Sequence, residues 1–149
     1  MSISKAFLLA FALITATLGS YAVLTAAPAA TPVKHRVVVE VTTEGGEQWT
    51  AVLINVENLR KSFGEANVEI EVVGHNKGLG LLMGTNADLQ ERMKKLAEGG
   101  VIFATCENSM RKKNVKKEDL MPFVTTVDSG VAEVVRRQEA GWSYLKTGM

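Results

Sequence analysis

One cysteine in 149 residues leaves this chain no disulfide of its own, so its fold has to rest on a packed core. Charge of one sign is equally lacking: lysine and arginine total 17, aspartate and glutamate 16, and global electrostatics therefore names no partner. Histidine is almost as sparse. His35 and His75 stand apart from each other and from Cys106, which argues against a metal site, and nothing calls for a cofactor. A glycine is missing where a dinucleotide fingerprint needs one, because Gly78-x-Gly80 is followed by Met83 at the third position and comes after the second predicted strand, not the first. Aromatics are missing from the basic cluster of Arg111, Lys112, Lys113, Lys116 and Lys117, which Glu107, Glu118 and Asp119 flank. Without stacking platforms it reads as a solvated helix face and not as a grip on nucleic acid. There is no internal repeat and no sign of a second domain.

What is present is an ordinary globular balance, 46% hydrophobic and 22% charged, sufficient for one sizeable core. The chain opens with Lys5, an almost unbroken apolar run over residues 6–18 and a small-residue segment over residues 25–30, the order of a secretory signal peptide. Cleavage after Ala27, Ala29 or Ala30 satisfies the small-x-small rule. Residues 1–30 are accordingly read as a leader and residues 31–149 as a single domain, periplasmic or secreted. The competing reading is an uncleaved anchor over residues 6–27, with Thr15, Thr17, Ser20 and Tyr21 tolerated in the bilayer; only then is the membrane a partner. An odd cysteine in an exported protein points to intermolecular pairing or to a free reactive thiol.

From residue 35 onward, strand and helix signals alternate. Residues 35–43 are valine-rich and read as a first strand. Trp49, Val52, Leu53, Val56, Leu59 and Phe63 then recur at spacings of three and four, predicting a helix over residues 47–63 that stops at Gly64. Residues 68–73 alternate apolar and charged, predicting a strand with one face partly open, near a sheet edge. The glycine-rich connection 74–84 leads into a short apolar turn of helix, its glycines letting the backbone turn tightly over the sheet. Thr85, three residues before Asp88, predicts the cap of a helix with Leu89, Met93, Leu96 and Ala97 as its stripe and Gly99-Gly100 as its end. A further strand is expected over residues 123–127, then a last helix capped by Asp128 or Ser129 with Val131, Val134, Val135, Trp142 and Leu145 on one face. Repeated strand and helix units predict an α/β fold with a parallel sheet covered on both sides.

The chemistry concentrates in residues 101–113. Val101 to Ala104 is apolar at every position, as in a strand covered on both faces, and Glu107, Asn108 and Ser109 are residues of the kind that cap helices. Cys106 thus falls where a strand stops and a helix starts. In open α/β sheets ligands bind at that carboxyl edge, and a helix N-terminus favours thiolate over thiol. The plainer alternative is a cysteine packed as a small hydrophobe. His75 ends the second strand and lies on the same carboxyl edge, so a cysteine and histidine pair is conceivable, although no third, orienting group is legible. His35 begins a strand and belongs at the opposite edge.

The pattern Val-Val-Gly-His-x-x-Gly-Leu-x-Leu-Leu at 72–82, the strand ending in Cys106-Glu107-Asn108-Ser109-Met110, the segment Leu120-Met121-Pro122-Phe123-Val124 and Ser129-Gly130-Val131-Ala132-Glu133 together resemble the DsrE/DsrF-like family, and within it the exported single-domain members. The resemblance spans residues 35–148. It implies a three-layer α/β/α sandwich whose mainly parallel sheet has about four to five strands, assembled into a homo-oligomer, a trimer or hexamer. Members in sulfur relays carry a cysteine that accepts sulfur as a persulfide and passes it to a partner protein, and Cys106 falls at that position. The expected function is therefore sulfur binding or sulfur relay through Cys106, with a sulfur donor or acceptor protein as partner. Asn108, Ser109 and Arg111 are the candidate anion stabilisers and His75 an auxiliary candidate. Two alternatives stand beside it: a noncatalytic oligomeric binding or assembly module with a structural cysteine, and a thiol redox sensor.

Overall fold

Runs of valine and isoleucine, stiff at χ1 and suited to a pleated surface, build the interior strands. A computed structural model describes residues 34–147, in which β1 (His35–Val41), β2 (Val68–Gly74), β3 (Ile102–Cys106), β4 (Thr125–Val127) and β5 (Ser143–Lys146) form one sheet in the order β4-β3-β2-β1-β5. Every neighbouring pair is parallel. The helices are α1 (Gly46–Phe63), α2 (Ala87–Glu98), α3 (Glu107–Lys113) and α4 (Gly130–Glu139). The leader and anchor readings of residues 1–30 lie outside the described residues. Among the described residues no helix is long and apolar enough to cross a membrane.

Strand order dictates the layers. From β1 to β4 the chain steps in one direction across the sheet, and right-handed crossovers keep the intervening helices on one face. To reach the free side of β1 and form β5, the chain must travel back across the sheet, and α4 makes that passage on the other face. Two cores result. The larger joins α1, α2 and α3 to the sheet through Val39, Leu53, Ile70, Met93, Phe103 and Met110. The smaller, beneath α4, consists of Val38, Val73, Val134 and Trp142. The three-layer sandwich is therefore lopsided.

Several expectations change. β2 lies at the centre of the sheet and not near an edge. The charge alternation that predicted an open face marks a buried contact instead: Glu71 is 1% exposed and pairs with Arg137 of α4, which also holds Glu133 at 2.8 Å. Burial pushes the Glu71 carboxyl above its ordinary range, and Arg137 offsets only part of that. The last predicted helix is shorter than its apolar pattern. α4 stops at Glu139, Gly141 takes φ +81°, and Trp142 and Leu145 belong to the reversal and to β5. Strand periodicity could not be told from helix periodicity over a four-residue strand. Of the predicted helical face, Val134 is buried, whereas Val131 and Val135 are 58% and 47% exposed. Thr85 does not cap α2; Asn86 precedes it and no side chain accepts from its first turn. The strand expected over residues 123–127 is confined to Thr125–Val127, and Ile102 is partly open, so residues 101–104 are not covered on both faces throughout.

The connection after β2 folds back over the sheet edge. His75 N–H donates to the Val41 carbonyl at 3.1 Å, and Asn76–Leu82 forms a 3-10 segment whose leucines enter the larger core. At Gly78 the crossing is so close that a Cβ would stand 2.0 Å from the Val41 carbonyl oxygen. Here glycine is required for close backbone approach and not for a positive φ.

Candidate functional site

The carboxyl edge of the sheet is set by two chain reversals that part company. After β3 the chain turns into α3 on the larger-core face, where Met110 is buried. After β4 it turns into α4 on the other face. Adjacent strands whose following helices leave to opposite sides create a crevice at their carboxyl ends, the place where open α/β sheets bind ligands. Cys106, last residue of β3, lies in that crevice.

Two helix starts converge on its sulfur. Burial pushes the Cys106 thiol up, but hydrogen bonds from the Gly130 amide, the Ser109 amide and hydroxyl, and the Asn108 amide outweigh it and hold the thiol below its ordinary value of 9.0. The Ser109 hydroxyl oxygen accepts from Asn76 N–H at 2.9 Å, which leaves its proton free to point at sulfur. Ser129 caps α4, its Oγ accepting from Ala132 N–H at 3.4 Å, and so aims the Gly130 amide. The thiol is 5% exposed. Beside it a cleft of about 370 Å³ is lined by Asn76, Asn108, Ser109, Lys112 and Lys113. A larger apolar cavity of about 640 Å³ lies at the amino end of β3, bounded by Ala97, Val101, Phe103, Pro122 and Phe123, away from the thiol.

The residues singled out in the sequence divide at this site. Asn108 and Ser109 contribute the backbone amides of the first turn of α3, and Ser109 its hydroxyl as well. Neither caps the helix with its side chain. Asn108 Oδ1 is occupied by the Arg111 guanidinium, which also approaches Glu107 at 3.7 Å, so Arg111 is directed along its own helix and exposed. The other cations of the cluster, Lys112, Lys113, Lys116 and Lys117, are exposed too. Glu107 ties α3 to β4, accepting from Thr126 Oγ1 at 3.0 Å.

His75 stands next to Cys106 across the strands. Gly74 is paired with Thr105, so His75 and Cys106 occupy the next positions on neighbouring parallel strands, and both alternate onto the face that α4 covers. A Cβ added at Gly130 would lie 2.9 Å from His75 Cβ and 3.1 Å from Cγ and Cδ2, so the imidazole and the thiol flank one glycine. The orienting group that the sequence did not reveal is Glu40, whose Oε1 lies 2.8 Å from His75 Nε2. Its other oxygen accepts from Tyr144 Oη at 2.5 Å. Burial alone would raise the Glu40 carboxyl; the Tyr144 and His75 hydrogen bonds, aided by the charges of His75 and Lys146, bring it below its ordinary value. The Tyr144 phenol, bonded to that carboxylate, is pushed up to about 12. Glu40 and Tyr144 escaped the sequence analysis, and Gly130 entered it only within the 129–133 motif, because each reaches the site only through strand order. The one available signal was Glu40 itself, a carboxylate amid valines. Among the described residues no group of histidine, cysteine, aspartate and glutamate side chains is arranged to hold a metal ion.

With this geometry in place the kinship of the chain is decided by its sequence, which matches the DsrE/DsrF-like family over residues 5–147. The chain belongs to that family. The motifs at 72–82, 106–110 and 129–133 that resemble it line or support the carboxyl edge just described, whereas the one at 120–124 leads into β4 from its amino end. Among solved structures, MTH1491 of Methanobacterium thermoautotrophicum, a protein of unknown function, is 31% identical, with a TM-score of 0.71 over 76% of this chain and 99% of that one. YchN of Escherichia coli is 13% identical, with a TM-score of 0.59 over 76% of this chain and 99% of its own. BT1422 of Bacteroides thetaiotaomicron, also of unknown function, is 11% identical, with a TM-score of 0.58 over 74% and 93% respectively. At those identities the last two establish the DsrE-like fold alone. No curated protein matches the sequence.

Proposed function

We propose that Cys106 is a sulfur carrier, taking sulfane sulfur as a persulfide and passing it to an acceptor thiol. The observation that carries this reading is the convergence of amide donors from two helix starts on the only cysteine, at the crevice between β3 and β4. Membership in a family generally linked to sulfur relay supports it. In the loading step the Cys106 thiolate attacks the outer sulfur of a donor R–S–SH. The Sγ–S bond forms as the donor S–S bond breaks, and R–S⁻ leaves with the electron pair. The amides that favour Sγ as an anion also favour it as the leaving thiolate when an acceptor thiolate attacks the outer sulfur of the Cys106 persulfide and the Sγ–S bond breaks. Mass spectrometry of the mature protein before and after a low-molecular-weight hydropersulfide tests the reading. A gain of one sulfur at Cys106 that an acceptor thiol removes is expected, and an unmodified mass after prolonged exposure overturns it.

The second reading, a structural cysteine, is favoured by the 5% exposure of the residue. It predicts that Cys106 labels only after denaturation. A redox sensor would instead show oxygen adducts of the thiol without sulfur gain.

Assembly and export complete the proposal. α4 shows the apolar Val131 and Val135 at its outer surface and Tyr144 of β5 is 42% exposed nearby on the same sheet face, so a subunit contact there would remove apolar area from water. Sedimentation is expected to show a trimer or hexamer, and a monomer at micromolar concentration would end this part of the proposal. For export, intact-mass analysis of protein made in its own cells should find an N-terminus between Pro28 and Thr31. Full-length protein held in the membrane would contradict it.

A further inference from the structure

Cys106, His75, Glu40 and Tyr144 lie in one diagonal row across the adjacent strands β3, β2, β1 and β5, all on the face that α4 covers: His75 is level with Cys106, and Glu40 and Tyr144 are each set two residues further back. The row is bonded at two of its joints, Tyr144 Oη to Glu40 Oε2 and Glu40 Oε1 to His75 Nε2, and its side chains are largely shielded at His75 and Glu40, 13% and 14% exposed. A carboxylate on Nε2 fixes the proton on that nitrogen and leaves Nδ1 as the nitrogen that can gain or lose one. We infer that His75 is the group that exchanges a proton with Cys106 and with the sulfur that leaves the donor, and that Glu40 and Tyr144 are positioning residues that orient and polarise its imidazole.

The inference rests on the reading of Cys106 as a nucleophile and supplies its proton path. His75 takes the Cys106 proton, so thiolate and imidazolium form together. Thiolate attack on R–S–SH expels R–S⁻, and the imidazolium returns the proton to it. Net, Cys106–SH and R–S–SH become Cys106–S–SH and R–SH, with no external oxidant or reductant. Glu40 fixes the ring's orientation through the 2.8 Å contact of its Oε1 with Nε2. Tyr144 keeps Glu40 in that pose by binding its second oxygen.

Other charges lie around the row, among them Lys112 and Lys113 of α3, which line the cleft beside the thiol. Lys146 of β5 faces Glu40; on the same face of β2 Glu71 is held by Arg137 of α4, which with Arg136 also binds Glu133, and Glu69 pairs with Lys34. Asp128, before α4, binds Arg136. From the connection after β2, Lys77 pairs with Glu44, and from α3 Glu107 and Arg111 bind Thr126 and Asn108.

The test is the pH profile of Cys106 alkylation in the folded protein, a readout that persulfide formation does not enter. Glu40→Gln keeps the shape and a polar contact to Nε2 but removes the charge, and should move the midpoint up by about one pH unit, slowing labelling near neutrality about tenfold. His75→Gln should shift it at least as far. Tyr144→Phe frees Glu40 to swing toward solvent and should give a smaller shift in the same direction, whereas Lys77→Gln, outside the row, should give none. Folded Glu40→Gln and His75→Gln proteins with the unaltered midpoint would overturn the inference. Should those variants unfold, the His75 imidazole is titrated by NMR in the native protein and in Cys106→Ser. Reciprocal coupling requires the His75 midpoint to move when the thiol is removed, and an unmoved midpoint overturns the inference equally. A thiol that labels with the expected profile yet never gains sulfur would end the carrier reading and leave the His75 assignment standing.

Discussion

Cys106→Ser should abolish sulfur loading completely while leaving the fold in place. Serine is nearly isosteric, and the amides of Gly130, Ser109 and Asn108 that serve the sulfur can serve a hydroxyl, so no buried donor is orphaned. The hydroxyl is far too weak an acid to be a nucleophile near neutral pH, so the loss is total and not graded. In the native protein, iodoacetamide should react at neutral pH faster than with a free thiol of ordinary acidity, because the same amides hold Cys106 below 9.0. A native thiol that labels only on unfolding would end the relay reading for the isolated protein. There is a pH signature as well. A thiol whose folded pKa is depressed contributes stability that is fully present above its unfolded value and is lost as pH falls through the folded one. Native protein should therefore gain stability relative to Cys106→Ser as pH rises between those two values. Parallel unfolding midpoints across that range would contradict the hydrogen-bonded thiolate.

Gly78→Ala should cost more stability than any conservative change at the site. The added methyl would sit 2.0 Å from the Val41 carbonyl oxygen and 2.5 Å from its carbon, far inside van der Waals contact. Both clashing groups belong to backbone at the end of a central strand, so no rotamer change relieves them. Overpacking a core costs about 1–3 kcal/mol where side chains can adjust. With backbone on both sides the cost lies at or above the upper end, a large share of the roughly 5–15 kcal/mol that holds a domain folded. Chemical denaturation should show a sharply lowered midpoint or no folded protein. A midpoint within experimental error of the native value would refute the close crossing. Displacing this connection also moves His75 and Asn76, so any folded remnant should label more slowly at Cys106.

Reading along the chain recovers what local periodicity encodes. The helical face of Val52, Leu53 and Val56, the stripe of Leu89, Met93 and Leu96, the Ser129 cap and the parallel α/β class all depend on residues within a few turns of each other. So does the placement of Cys106 between a strand end and a helix start. Where the reading failed, a distant partner had changed the meaning of a local pattern. Glu71 alternates with valines as a solvent-facing residue would, but Arg137, contributed by α4, makes that position interior. Trp142 and Leu145 continue a helical rhythm, but Gly141 reverses the chain, leaving Trp142 in the reversal, and the free edge of β1 recruits Leu145 into a strand.

By itself the sequence determined the alternation of elements, the family and the place of the single cysteine between a strand end and a helix start, because these depend on residue type and short spacing. Strand order, and everything that strand order brings together, was decided only by the tertiary structure. Residues as distant in the chain as Glu40 and Tyr144, or Cys106 and Gly130, meet because the chain steps from β1 to β4 in one direction and returns through α4 to β5 on the other face. Short spacing carries no trace of that return. The choice is made collectively, when burying valine faces on both sides of the sheet and handed crossovers leave the edge beside β1 as the place for β5.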